Sequence, residues 1–491
     1  MPYVIGADIG SQSVKALLLD PGGRCVRTAA RPLRMTHPHD GWAEQDPHAW
    51  EQALAGSVRD LMDGGPHPRE VGALALSCQV DGVVATDGRL DPLRPAVIWL
   101  DRRAGRQAAR LEEELGRDAI FSATGLVPDA THGAPKMMWL YEHEADVVGR
   151  ATALVPVAAY LLARLTGVLA QDPANASSTL LFDIARGEWH PGLCEASGVD
   201  PSLLPPVRPA HEVAGTLTAR SAASLGLTTG TAVCVGTGDE HSASLAVGAV
   251  VPGVVADVTG TAEPVTAAAA RPVFDPEQLV ETHAHAVEGL YLVENPGFVS
   301  GGSTLWLAEN VLHCTQSDVF DLAAQARPGS HGVLFLPALS GSMAPRWNSS
   351  MRGVFAGMGM NTGAPQLARA VLEGCAFALR DVVDRLDALG LAGGEVRIAG
   401  GGHRSALWCR IKADVLNRPV HRVLAEEATA LGAAMIAGVA AGTFDGFPDA
   451  VARAVELDPE PVLPSAGAVA AYADAYPRYR ALFDHVEKAL P

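Results

Sequence analysis

Lysine is scarce in this chain. Lys15, Lys136, Lys412 and Lys488 are the whole set among 491 residues, and 37 basic residues face 55 acidic ones, a formal net charge of −18. No basic run is present to follow a phosphate backbone, which excludes nucleic acid as a partner. An acidic body also repels anionic membrane surfaces. Cysteine is sparse too: seven dispersed residues, an odd number, with no CxxC. That argues against a disulfide framework or a cysteine zinc site and for buried thiols in a reducing compartment. Long apolar runs are missing. The richest stretches, Ala151–Ala163 and Leu431–Gly442, fall short of the roughly 18 residues needed to cross a bilayer. No basic leader precedes them, so the expected location is cytoplasmic. Several catalytic signatures are absent as well. No glycine precedes a lysine, which excludes a P-loop, and there is no HRD, DFG, HExxH or GxSxG.

What is present is globular. The chain is 48% hydrophobic, and its 51 glycines and 34 prolines are scattered rather than clustered. The length suggests two to four domains at ~150 residues each. Apolar runs at Val4–Ile9 and Val14–Leu19, separated by Gly10-Ser11-Gln12-Ser13, read as a hairpin, with a third strand through Val26. A helix is expected from His48 to Met62, capped near Asp46 with Pro47 in its first turn. Short strands are expected at 71–77 and 96–99. The second half opens in the same way, with a strand at 253–258 and a turn at Thr259-Gly260-Thr261-Ala262. A long amphipathic helix follows over 366–389, then a strand at 396–399, the loop Gly400-Gly401-Gly402 and a helix over 405–416. Tyr472, Tyr476 and Tyr479 make a docking stripe on the last helix. Strands alternating with helices predict an α/β fold with a weak twofold organisation, halves spanning 1–250 and 251–491.

Four loops could carry chemistry. Asp8 ends a strand before a glycine turn bearing Ser11 and Ser13, where backbone N–H groups can hold phosphate oxygens and a carboxylate can hold Mg²⁺ through water. Gly236-Thr237-Gly238-Asp239-Glu240-His241 brings an acidic pair into a glycine bend after the short strand 233–235; Asp239 fits either a proton acceptor or the N-cap of a helix from His241. Gly260 with Thr261 is a second phosphate turn. Gly401 and Gly402 let a flat base lie on the backbone. Taken singly, each loop also fits an ordinary turn.

Together these segments resemble the FGGY family of carbohydrate kinases, and within it the bacterial xylulokinases. The resemblance runs through DIGSQSVK at the start, HPHDGWAEQDPHAW (37–50), PAVIWLDRR (95–103), VGTGDE (235–240), SGSMAP (340–345), RGVFAGM (352–358), ARAVLEGCAFALRD (368–381), the AGGG loop and EATALGAAMIAG (427–438). It implies two actin-like, ribonuclease H-like ATPase domains flanking a cleft. The first domain would bind the sugar and the second ATP. It implies Asp239 as catalytic base and Asp8 as the acid supporting Mg²⁺ and the phosphoryl group. It implies ATP contacts from Ser11, Gln12, Ser13, Lys15, Gly260, Thr261, Gly301, Gly401 and Gly402. Pocket residues would be Gln79, Val80, Asp81, Trp99, Asp101 and Glu240; Asp101 fits a structural ion pair with Arg102 equally well. The chain departs from the pattern in places. Gln12-Ser13 replaces Ser-Gly, Ala262-Glu263 replaces Ser-Gly, and Ala406 replaces an amide that contacts the nucleotide in glycerol kinases. Gln79-Val80-Asp81-Gly82 replaces Gln-Met-His-Gly, exchanging an imidazole for a carboxylate that accepts from hydroxyls.

The implied reaction is phosphorylation of D-xylulose by ATP with Mg²⁺. Asp81 keeps open a kinase for ribulose, a tetrulose or erythritol. A non-kinase actin-like nucleotide-binding protein is the third alternative. The expected partners are a small sugar and ATP, with a homodimer left open.

Overall fold

The computed structural model describes residues 1–489, so the last two residues of the expected second half lie outside the described ones. Largely apolar segments open the chain as β1 (Tyr3–Ile9) and β2 (Ser13–Leu19), both mostly buried. They pair as a hairpin whose turn closes with a Gly10 N–H to Ser13 carbonyl bond of 3.1 Å. β3 (Cys25–Pro32) completes an antiparallel meander and is the exposed edge. α1 (Pro47–Met62) starts where expected: the Asp46 carboxylate accepts the His48 N–H at 2.9 Å, a cap worth about 1 kcal/mol. Its buried Trp50, Leu54, Val58 and Leu61 recur at helical spacing and face β2 and β3. β4 (Val71–Cys78) lies parallel to β1. β5 (Val213–Thr216), β6 (Ala232–Cys234) and β7 (Thr237–Gly238) complete a seven-stranded sheet of order β5-β6-β4-β1-β2-β3, with β7 pairing the end of β4.

α2 (Asp239–Val247) follows at once. The second sheet begins with β8 (Val255–Thr259), β9 (Ala262–Ala269), β10 (Glu281–Ala284) and β11 (Tyr291–Val299). α3 (Gly301–Trp306) and the 25-residue α4 (Ala364–Ala388) lead to β12 (Val396–Gly400), α5 (Ala406–Leu416) and β13 (Val420–Arg422). Its order is β10-β11-β9-β8-β12-β13. In both sheets an antiparallel meander is continued by two parallel strands beside its first strand, so the twofold organisation is a repeat of topology.

α6 (Ala428–Ala440) joins the halves. It is apolar nearly all round, which suits a helix buried on every side. It packs on β1 and β4 of the first sheet and on α2, and the Ser242 hydroxyl donates to the Thr429 carbonyl at 2.8 Å. One apolar core therefore contains Val4 and Ala73 from the first sheet and Ala256 and Ala399 from the second. α7 (Ala466–Ala489) docks through its tyrosines as expected: Tyr472 and Tyr479 are buried, and the Tyr476 hydroxyl donates to Asp381 at 2.7 Å. Among the described residues no helix is long and apolar enough to cross a membrane.

Three boundaries differ from expectation. The strand near 233–235 ends at Cys234 because Gly236 turns the chain; the strand near 96–99 covers Ala96–Val97 alone. The helix after GTGD starts at Asp239, with Gly238 as its N-cap. Asp239 is thus in the first helical turn and is not the cap.

Candidate active site

Strand register assembles the site. Asp8 lies opposite Ser77 and Ile9 opposite Cys78, while Thr237 and Gly238 flank the same two residues of β4 from the other side. Three parallel strands therefore end level. The turn 10–13, the loop 79–82 and Asp239 emerge together at their carboxyl ends, where open α/β sheets bind ligands. With ~4.8 Å between neighbouring strands, Asp8 and Thr237 are two strand spacings apart, roughly 10 Å, and Asp239 follows two residues on. Gly236 makes this possible. Its φ is +81°, and a Cβ there would sit 2.4 Å from the Leu76 carbonyl oxygen. Behind it the Thr237 hydroxyl donates to buried Asp172 at 2.6 Å.

Two effects compete at Asp239. Burial disfavours its charge, whereas the N–H groups of Asp239 and Glu240 at the helix start and of Val80 in the 79–82 loop favour it. Burial wins, aided by nearby Glu294, and the carboxyl is pushed up to about 7. That value suits a base working near neutrality. Asp8 is also driven well above the usual carboxylate range, by burial first and then by Asp239. Its Oδ1 is buried with no hydrogen-bond partner.

The WAEQDP segment braces the adjacent loops. The Gln45 amide donates to the Ser11 carbonyl at 2.7 Å and accepts from Gln79 at 2.7 Å and from the Trp50 indole at 3.2 Å. Glu44 pairs with Arg103 at 2.7 Å, and Trp42 stacks under that guanidinium at 3.6 Å. Asp101 belongs to this brace. Its oxygens accept from the Arg103 side chain at 2.9 and 2.7 Å and from the Ala43 N–H at 2.6 Å. The alternative ion pair with Arg102 is not formed; Arg102 turns outward to Asp129 at 2.7 Å. Trp99, half-buried, lies two residues before Asp101.

Asp81 has a left-handed backbone, φ 61°, which aspartate tolerates better than most residues. Its Oδ1 is buried without a hydrogen bond, and the Lys136 ammonium donates to its carbonyl at 2.6 Å. Burial lowers Lys136 to about 8. His132 lies 3.5 Å from Asp81 and 3.8 Å from Glu281. Its two ring nitrogens also lie 3.0 and 3.2 Å from the Ser178 and Val127 carbonyls. Carbonyls only accept, so both nitrogens donate and the ring is an imidazolium. Its affinity for the second proton is raised well above normal; burial opposes this and Asp81 outweighs it.

A second cluster gathers at the ends of β8 and β12. Thr259 is level with Gly400. The Ser300 and Gly302 N–H groups donate to the Thr261 carbonyl, and the Gly301 N–H donates to Gly260. A Cβ on Gly301 would sit 2.3 Å from the Gly260 oxygen, and one on Gly402 would sit 2.6 Å from the Thr259 side chain. Beneath this bend Lys412 is buried, its ammonium 2.6 Å from Asp257, 3.0 Å from Glu263 and 2.7 Å from the Thr259 hydroxyl. Glu263 also accepts from the Ser300 hydroxyl. Lys15 reaches toward the second half and pairs with Glu427 at 2.7 Å.

Residues 3–246 match the N-terminal domain of the FGGY family of carbohydrate kinases, and residues 228–441 match its C-terminal domain. The chain belongs to this family. It is 30% identical over 489 residues to the xylulose kinase of Escherichia coli (strain K12), covering 98% of this chain and 99% of that one. It is 32% identical over 456 residues to the glycerol kinase of Gloeobacter violaceus, covering 91% and 90%. The crystal structure of a xyloylose kinase from Brucella ovis superposes with a TM-score of 0.92 at 29% identity, covering 99% and 100%. The fold is thus the two-domain, actin-like ATPase fold, and the protein is a sugar kinase.

Within this FGGY kinase, Asp8, the turn 11–13, Lys15, Gln79, Val80, Asp81, Asp239 and Glu240 collect around one sheet end. Gly260, Thr261, Gly301, Gly401 and Gly402 collect at the other. Reading the sequence alone passes over His132, Glu281, His283, Glu294 and Lys412. A signal existed for two of them: in β10, Glu281 and His283 alternate on one side of a buried strand, an arrangement a plain core strand avoids.

Proposed function

We propose that this kinase transfers the γ-phosphoryl group of ATP to a hydroxyl of a ketose, converting D-xylulose to D-xylulose 5-phosphate, with Asp239 as general base. The observation that carries the reading is Asp239 itself. It is a carboxyl poised near neutrality, at the level strand ends that bring Asp8 and the Gln79–Asp81 loop beside it. Asp239 orients the attacking hydroxyl and takes its proton as the new O–P bond forms. The bond from the γ-phosphorus to its bridging oxygen breaks and ADP leaves. Little covalent work falls to the protein; positioning and charge neutralisation dominate. Asp8 fits a divalent ion, since its buried Oδ1 has no hydrogen-bond partner within the protein and a carboxylate can hold Mg²⁺ through water. Mg²⁺, when bound there, would neutralise phosphate charge. Ser11, Gln12 and Ser13 would hold phosphate oxygens from one side and Gly260 with Thr261 from the other. Gly301, Gly401 and Gly402 would keep side chains away from the nucleotide.

Gln79, Val80, Asp81, Trp99 and Glu240 would form the sugar pocket, with Asp101 holding its wall through Arg103. A second reading keeps the chemistry and changes the acceptor to ribulose, a tetrulose or erythritol. It is favoured by Asp81, a carboxylate beside the His132 ring, since a carboxylate accepts from hydroxyls. A coupled ADP-release screen across C3 to C7 ketoses and polyols decides between them. Saturation by another sugar at far higher kcat/KM overturns D-xylulose. Asp239→Asn should leave sugar binding measurable and lower turnover by ~10²–10⁴; wild-type rates in that variant would remove Asp239 as the base.

A further inference from the structure

One helix end grips both parts of Asp81. His132 and Lys136, both buried, stand four positions apart at the start of the helix Gly133–His143, with His132 as its N-cap residue. The Lys136 ammonium is spent on main chain. It donates to the carbonyls of Asp81 and Thr131, and so fixes the left-handed backbone of residue 81. The His132 ring takes the side chain: its Nδ1 is 3.5 Å from the Asp81 carboxylate and 3.0 Å from the Ser178 carbonyl. The second half reaches the same ring at its other nitrogen. Nε2 is 3.8 Å from Glu281 of β10. That carboxylate also accepts the Val127 N–H at 2.7 Å, and the neighbouring Thr282 N–H donates to the Gly125 carbonyl at 2.9 Å. A Cβ on Gly125, whose φ is +79°, would lie 2.3 Å from the Thr282 oxygen. The segment 125–132 is therefore seated closely on a strand of the second half.

We propose that His132 is a specificity-determining positioning residue of the acceptor pocket: its ring holds the Asp81 carboxylate in place, and Glu281 ties that hold to the second half. Where the resembled pattern has an imidazole at position 81, this chain has a carboxylate with an imidazole set against it. The Asp81 side chain is only 12% exposed, so its charge is largely out of water and needs a cation. Lys136 does not give its ammonium to the carboxylate, because that group is turned to carbonyls; His132 supplies the contact. Held ionised, Asp81 only accepts hydrogen bonds, and an acceptor-only group at a fixed point selects sugar hydroxyls. Without the ring it would take up a proton or turn toward water, and the selection would be lost. Five charged or titratable groups surround His132. Asp81 from the 79–82 loop and Glu281 from β10 attract its charge against the effect of burial, and Asp129 adds to the acid nearby. Lys136 stands on the helix that follows, and His283 on β10 is a second imidazole.

The proposal rests on Asp81 as a pocket residue, and a double-mutant cycle tests it with D-xylulose and ATP as probes. Steady-state constants are compared for the wild type, Asp81→Asn, His132→Gln and the double variant. His132→Gln should raise KM for D-xylulose ~10-fold and leave KM for ATP within ~2-fold. In the Asp81→Asn background the same change should raise it less than ~3-fold, because the carboxylate it held is gone. An unmoved KM in the single variant overturns the proposal. So does an equal ~10-fold step in both backgrounds, which is what a ring that only fills space would give. A second measurement leaves His132 in place and needs no turnover. With ¹⁵N-labelled histidine, one ring titrating above the ordinary 6.5 should be missing from His132→Gln and should titrate ~1 pH unit lower in Asp81→Asn, the effect of removing an adjacent anion. If Asp81→Asn leaves the midpoints of all 16 histidines unmoved, the proposal fails without any variant of His132. A wild-type KM for D-xylulose in Asp81→Asn removes Asp81 from the pocket instead, and the titration still judges its pairing with His132.

Discussion

Lys412→Met is the sharpest probe of the second half. Lys412 is buried, and its ammonium is the cation between Asp257 and Glu263, at 2.6 and 3.0 Å. Removing one partner of a buried ionic cluster costs about 3–5 kcal/mol, because charge is left without compensation. At ~2–4 °C per kcal/mol that is a fall in Tm of roughly 6–20 °C. The loss depends on pH. In the wild type Lys412 is raised by Asp257 and Glu263 against the pull of burial, so its contribution is fully present below its unfolded value near 10.5 and is constant from pH 5 to 8. Glu263 stands at about 7, raised from 4.5 by burial and Asp257 and held down by Lys412. Without the lysine it rises further. A raised acid favours the native state below its unfolded value, and that contribution is lost as pH climbs through the folded one. The variant's deficit should therefore be small at pH 5 and large at pH 8, by thermal unfolding at both. Glu263→Gln added to Lys412→Met should recover part of it. The Thr259 hydroxyl also loses a donor at 2.7 Å, so KM for ATP should rise ~10-fold, or about 1.4 kcal/mol. A deficit below ~1 kcal/mol, equal at both pH values, refutes the reasoning.

Three further outcomes are expected. A base must be deprotonated to act, so kcat/KM should climb with pH through about 7, while the native-state contribution of the raised Asp239 carboxyl falls over the same window; pH-rate and pH-stability profiles should run in opposite directions there. Asp81→Asn keeps a residue that accepts φ near 61° but removes an ionic acceptor, so KM for the sugar should rise ~10–100-fold with KM for ATP unchanged in steady-state kinetics. Gly236→Ala meets both a positive φ and a carbonyl oxygen at 2.4 Å, so it should cost ~2–3 kcal/mol or more and lower Tm, as calorimetry would read.

Local chemistry was the legible part of this sequence. The α1 cap at Asp46, the 10–13 hairpin and the long amphipathic α4 are set by residues within a few positions of each other. Segments whose order and spacing resemble a family pointed to the kinase fold. Contacts between residues distant in sequence were not legible. Glu263 looked like a stray acid in a phosphate turn until folding set Lys412, 149 positions later, against it. The WAEQDP segment had no derivable role until Gln45 was seen bonded to both Ser11 and Gln79.

By itself, then, the sequence determined where strands, helices and glycine bends fall, because backbone preference and apolar periodicity act over short range. The tertiary structure alone decided which acids are raised by burial and which are neutralised by a partner. Burial and the partner's charge set an acid's protonation, and both are properties of the packed halves: Asp239 and Glu240 from one, Glu294 and His283 from the other.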